Sequence, residues 1–129
     1  MADKDVISTD RAPGPFQGAP YNQAIRIGDL VFVAGQLGIV LDSGELAGET
    51  ASEQTEQVMQ NMSAILEAAG SGLDKLVKTT VFLLDLADFA AMNDVYARHV
   101  GDRPPARSTI GISQLPSGAR VEIEAIAHV

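Results

Sequence analysis

Apolar and polar positions change period several times along the chain. Ala24-Ile25-Arg26-Ile27 and Leu30-Val31-Phe32-Val33-Ala34 flank Gly28-Asp29. Two β-rich runs around a Gly-Asp pair predict a hairpin. Gly35 and Gly38 interrupt the second run, and Asp42-Ser43-Gly44 marks a further turn. Thr50-Ala51-Ser52-Glu53 has the form of a capping box, a hydroxyl at the N-cap and a carboxylate three residues on. Behind it Val58, Met62, Ile65, Leu66 and Ala69 fall on one helical stripe, and Gly70 is placed to end that helix. Val77 to Leu86 reads as a strand, rich in β-branched and large residues, with both alternating sets apolar toward its end. A second helix is expected from near Asp85 or Asp88, with Phe89, Met92 and Tyr96 on one face. Pro104 and Pro105 break what precedes them. Arg107 to Ile112 and Arg120 to Val129 then read as two strands joined by a turn at Leu115 to Gly118.

Residues 1–20 carry Pro13, Gly14, Pro15, Gly18 and Pro20 and read as an irregular arm, with regular structure beginning near Tyr21. The whole chain, 1–129, is expected to form one domain, with 1–18 as the arm. The order β-β-α-β-α-β-β, with a possible short strand before the first helix, predicts an α+β fold. It is a two-layer sandwich with both helices on one sheet face. The last strand bears on the other face. Val121, Ile123, Ala125 and Ala127 suit a helix-covered core. Glu122, Glu124, Ile126 and His128 alternate with them, either as a solvated face or as the wall of a cleft or interface.

Composition narrows the chemistry. The chain has no cysteine, which excludes disulfides, thiolate metal sites and a thiol nucleophile. Two histidines leave little for a histidine-ligated metal, so neither metal nor cofactor is expected. A net formal charge of −8 argues against a nucleic-acid partner. No apolar run reaches the ~20 residues of a membrane span, and the polar start of the chain has no signal-peptide character. A cytoplasmic protein with no membrane partner is the expectation. No Gly-x-Ser-x-Gly elbow, HExxH, phosphate loop or Gly-x-Gly-x-x-Gly occurs. Asp85 and Asp88 are better explained by a helix N-terminus than by paired acid catalysis. Arg107 remains. It opens an apolar strand and needs an anion, either Glu122 or Glu124 on a neighbouring strand or the carboxylate of a ligand.

Several segments together resemble the RidA/YjgF family of reactive-intermediate (imine/enamine) deaminases. They are Ala19-Pro20-Tyr21-Asn22-Gln23-Ala24, Phe32 to Gly38, Asn61, Glu67 to Gly70, Val77 to Leu83, Met92 to Tyr96, Pro105-Ala106-Arg107-Ser108-Thr109, Leu115-Pro116 and Val121 to Ala127. The resemblance runs from about residue 19 to the C-terminus and implies a chorismate-mutase-like fold. It also implies a homotrimer whose sheets form a central β-barrel, with active sites in clefts between subunits. The activity implied is hydrolytic deamination of 2-imino and enamine acids to 2-oxo acids and ammonia. By the same resemblance Arg107 grips the substrate carboxylate and Glu122 positions or activates water. Tyr21, Ala34, Gly35, Asn93 and Thr109 fall at substrate-binding positions. Ala34 stands where many members have Ser, Thr109 where many have Cys, and Ala19 where Gly is usual. The rival reading is a non-catalytic ligand-binding or stress-protective trimer of the same fold. A ribonuclease is disfavoured by the acidic charge and by the lack of a histidine pair.

Overall fold

The computed structural model describes residues 3–129. Among these residues six strands form one sheet: β1 (Asp5–Ile7), β2 (Ala24–Ile27), β3 (Leu30–Leu37), β4 (Leu76–Leu83), β5 (Ala106–Gly111) and β6 (Val121–His128). Helices α1 (Ala51–Ala68) and α2 (Phe89–Val100) both cover the same face. The strand order is β1-β2-β3-β6-β4-β5. Only β4 and β5 are parallel, which requires the crossover that α2 supplies. Among the described residues no helix is long and apolar enough to cross a membrane.

The helix α1 forms where local signals coincide. Thr50 accepts from the Glu53 amide, and the Glu53 carboxylate returns a bond to the Thr50 amide. Val58, Met62, Ile65, Leu66 and Ala69 are all buried, and Gly70 follows at φ 82°. Met59, Met62, Ile65 and Leu66 share one buried core with Val31, Val81, Val121 and Ile123. Each such side chain contributes about 1.5–3 kcal/mol relative to exposure. The alternation expected of β6 is observed: Val121, Ile123, Ala125 and Ala127 face the helices, while Glu124 and His128 are exposed.

Two expectations need correction and a third is refined. Regular structure begins before Tyr21, because Asp5–Ile7 pairs antiparallel with Ala24–Arg26. This edge strand is short and mostly exposed, so it has no buried set to mark it. The interruption expected at Gly35 falls inside β3. The register with β6 passes from Val33↔Ala125 to Gln36↔Ile123, so Ala34 and Gly35 together stand opposite Glu124 in a β-bulge. Finally, Asp85 caps the turn before α2 by accepting from the Ala87 amide, but Asp88 does not cap α2. Its carboxylate accepts from Arg120 Nε at 2.8 Å instead.

Candidate active site

The bulge creates the first half of the site. Beyond it the strand resumes with Leu37 opposite Glu122, on the face the helices leave open. Glu122 lies against Gly35 so closely that a Cβ there would overlap the carboxylate Oε2 and lie 2.9 Å from Cδ. A cleft of about 430 Å³ opens over this pair, walled by Phe16, Tyr21, Ala34, Leu37 and Pro116. Two turns rim it. Gln17 and Ser117 both adopt positive φ, 53° and 59°, a conformation that side-chain-bearing residues rarely take. The Tyr21 hydroxyl accepts from the Phe16 amide at 2.6 Å, which ties the two aromatic walls together. Burial raises the Glu122 carboxyl above the ordinary carboxylate range, and the charge of Glu124 on the same strand raises it further.

Gly35→Ala is expected to retain the fold, because Gly35 has no positive φ, but to push the Glu122 carboxylate out of place. Activity should fall by about 10²-fold, the usual consequence of misplacing a reacting group by an ångström. Steady-state kinetics beside a thermal melt would separate that outcome from general destabilisation.

The second half lies elsewhere. Arg107 is in register with Thr79 of β4, and Thr109 with Val81, both buried on the helix side. Arg107 therefore points to the helix face of the edge strand β5, whereas Glu122, in register with Phe82, points to the open face. The guanidinium lies 4.9 Å from the centre of the Tyr96 ring and 5.5 Å from that of Phe89. Tyr96 is fixed by a 2.6 Å bond between its hydroxyl and that of Thr79. Burial raises the Tyr96 phenol, opposed by that bond and by the nearby Arg107 charge. Among the described residues neither Glu122 nor Glu124 pairs with Arg107, nor does any other carboxylate. Of the two anions the sequence left open, the internal one is not used. Asn93 lies four residues after Phe89 and three before Tyr96, on the same side of α2. Its side-chain oxygen is buried without a hydrogen-bond partner among the described residues.

The structure thus gathers Tyr21, Ala34, Gly35 and Glu122 in one cleft and sets Arg107, Thr109 and the helix bearing Asn93 on the other side of the sheet. Sequence reasoning missed Phe16 and Pro116 as walls and Phe89 as a support of Arg107. An aromatic residue placed between Pro15 and Gly18 was the available signal for Phe16.

Comparison with known proteins agrees with this architecture. Residues 11–129 match the family described as Endoribonuclease L-PSP. The chain is 47% identical over 125 residues to a RutC family protein of Pyrococcus abyssi, covering 97% of both chains. It is 40% identical to the human 2-iminobutanoate/2-iminopropanoate deaminase, over 95% of this chain and 88% of that one. The crystal structure of RidA from an Antarctic Psychrobacter superposes with a TM-score of 0.92 at 40% identity, covering 97% and 99% of the two chains. The chain belongs to the RidA/YjgF family.

Proposed function

We propose that the protein hydrolyses 2-imino acids and their enamine tautomers to 2-oxo acids and ammonia. The observation that carries this is the state of Arg107: a guanidinium seated on two rings, with no carboxylate partner among the described residues. Such a group is ready to bind a planar carboxylate through two parallel bonds. Relatives named as deaminases of 2-iminobutanoate and 2-iminopropanoate, among them the human one, support the reaction class. In this reading Arg107 fixes the substrate carboxylate, and Thr109 and Asn93 lie beside it. Glu122 accepts a proton from the water that attacks the C=N carbon. The nitrogen gains protons as the C–N bond of the tetrahedral intermediate breaks, and ammonia leaves. Imines hydrolyse readily, so orientation supplies most of the acceleration.

The two halves of the site lie on opposite faces of one sheet, so a second copy of the chain has to bring its Arg107 to the Glu122 cleft. A homotrimer, with the open sheet faces turned inward as a barrel, provides this. The half-exposed Phe32, Phe82 and Ile126 on that face favour such burial. We place the protein in the cytoplasm in a damage-control role, acting on small molecules without a nucleic-acid or membrane partner. Phe89, exposed and apolar beside Arg107, suits imines of small neutral amino acids.

The test is a coupled assay. An amino acid oxidase generates imines in situ, and a semicarbazide trap competes for them. Faster 2-oxo acid release is expected with 2-iminopropanoate and 2-iminobutanoate. No acceleration with any imine, together with 2-oxo acid binding, would instead establish the ligand-binding alternative. Glu122→Gln should leave KM nearly unchanged and lower kcat, since an amide cannot take the water proton. The pH dependence has a definite sign. Wild-type activity should fall as pH drops through the raised Glu122 pKa, above the ordinary carboxylate range, and Glu122→Gln should lack that limb. Stability moves the other way. A carboxyl raised by folding favours the protonated folded state, so its contribution is lost as pH rises through the folded pKa. Glu122→Gln should therefore melt higher than wild type near neutrality and about equally in acid.

A further inference from the structure

The cleft's outer wall is an arm, and one buried carboxamide fixes it. Gln23, just before β2, is 3% exposed. Its Oε1 accepts from the Thr9 amide at 2.7 Å. Its Nε2 donates to the carbonyls of Thr9 and Ala12, each at 3.1 Å, and of Pro13 at 2.9 Å. Two N–H groups thus serve three carbonyls, one of them shared. The Gln23 main-chain carbonyl accepts from the Ala34 amide at 2.9 Å, at the bulge that carries Gly35. A single residue therefore ties the arm, through its side chain, to the strand under Glu122, through its backbone.

The arm needs such a tie. Phe16 and Tyr21 wall the cleft yet are 41% and 42% exposed, so core packing does not fix them. Their placement follows from the loop backbone and from the bond between the Phe16 amide and the Tyr21 hydroxyl. An apolar residue at position 23 would satisfy burial but leave the Thr9 amide and three carbonyls without this partner. That arrangement is costly where water is excluded.

We propose that Gln23 is a positioning residue for the hydrolytic half of the site, holding the 9–21 arm so that Tyr21 closes over Gly35 and Glu122. This rests on the deaminase reading above. Loosening the arm admits water to the Glu122 carboxylate, whose titration then moves back toward the ordinary range.

Gln23→Met keeps the length and removes every side-chain bond; Tyr21→Ala removes the wall itself. Both variants and their combination are assayed with 2-iminopropanoate across pH, beside thermal melts. Gln23→Met should lower kcat/KM by roughly tenfold and shift the acid limb downward. The double variant should be no worse than Tyr21→Ala, because Gln23 acts through Tyr21. Effects that multiply, or an acid limb that stays in place, would overturn the proposal. Amide hydrogen exchange on the wild-type chain needs no variant to fold. Protection at Thr9 and Phe16 is expected, and exchange at unstructured rates overturns the proposal. A wild-type chain without imine turnover overturns the deaminase reading and this role with it. Wild-type turnover with multiplicative variants overturns this role alone.

Discussion

Arg107→Ala should leave the fold and assembly intact while lowering kcat/KM for 2-imino acids by on the order of 10²–10³-fold, the cost of losing a bidentate contact to a charged group. Few variants of a charged residue should be so selective. Arg107 makes no ion pair among the described residues, so its removal orphans no internal carboxylate. What the protein itself loses is the stacking on Tyr96 and Phe89, about 0.5–1 kcal/mol for each exposed cation–π contact. The melting temperature should therefore move little. Arg107→Lys is the sharper test. It keeps the charge and loses the planar fork, and the rings that orient a guanidinium cannot impose a carboxylate-matching geometry on an ammonium. It should remain at least about tenfold below wild type. Full turnover in Arg107→Lys would mean that charge alone, and not the fork, serves the substrate. Light scattering and circular dichroism on the same samples check that assembly and fold are unchanged.

What the sequence revealed was local. The helix α1 was legible because its capping box, apolar stripe and terminal glycine lie within about two dozen consecutive residues and agree with one another. The face of β6 was legible because alternation needs no knowledge of its neighbours. The features that escaped depend on partners distant in sequence. β1 is three largely exposed residues that become a strand only because β2 lies beside them. The bulge at Ala34 and Gly35 exists only in register against β6, nearly ninety residues away, so Gly35 read as an interruption. Asp88 stands at the N-cap of α2, but its carboxylate leaves the helix amides unserved because Arg120 arrives from another turn. For the site, the residue names came from family resemblance. Strand alternation could not say that Arg107 and Glu122 point to opposite faces, since that depends on β4 lying between β5 and β6.

Two inactive variants should restore each other's activity when assembled together. In the shared-site reading, Arg107→Ala chains retain the cleft of Tyr21, Gly35 and Glu122, and Glu122→Gln chains retain the ring-seated guanidinium. Each homotrimer has every site broken in one half. If equal amounts are unfolded and refolded together, each interface draws its two halves from independent chains. About one interface in four then combines an intact Glu122 cleft with an intact Arg107, and the mixture should recover about a quarter of wild-type activity. A site contained within one chain gives the opposite result, because every chain in the mixture carries a defect. Mixing without unfolding is the control: activity should appear only as fast as subunits exchange. A refolded mixture that stays as inactive as its components, with trimers present by light scattering, would sink the shared site. The opposed faces of Arg107 and Glu122 would then have to be reconciled by a rearrangement within the chain. Restoration to near a quarter would instead assign the cleft to one protomer and the carboxylate grip to its neighbour.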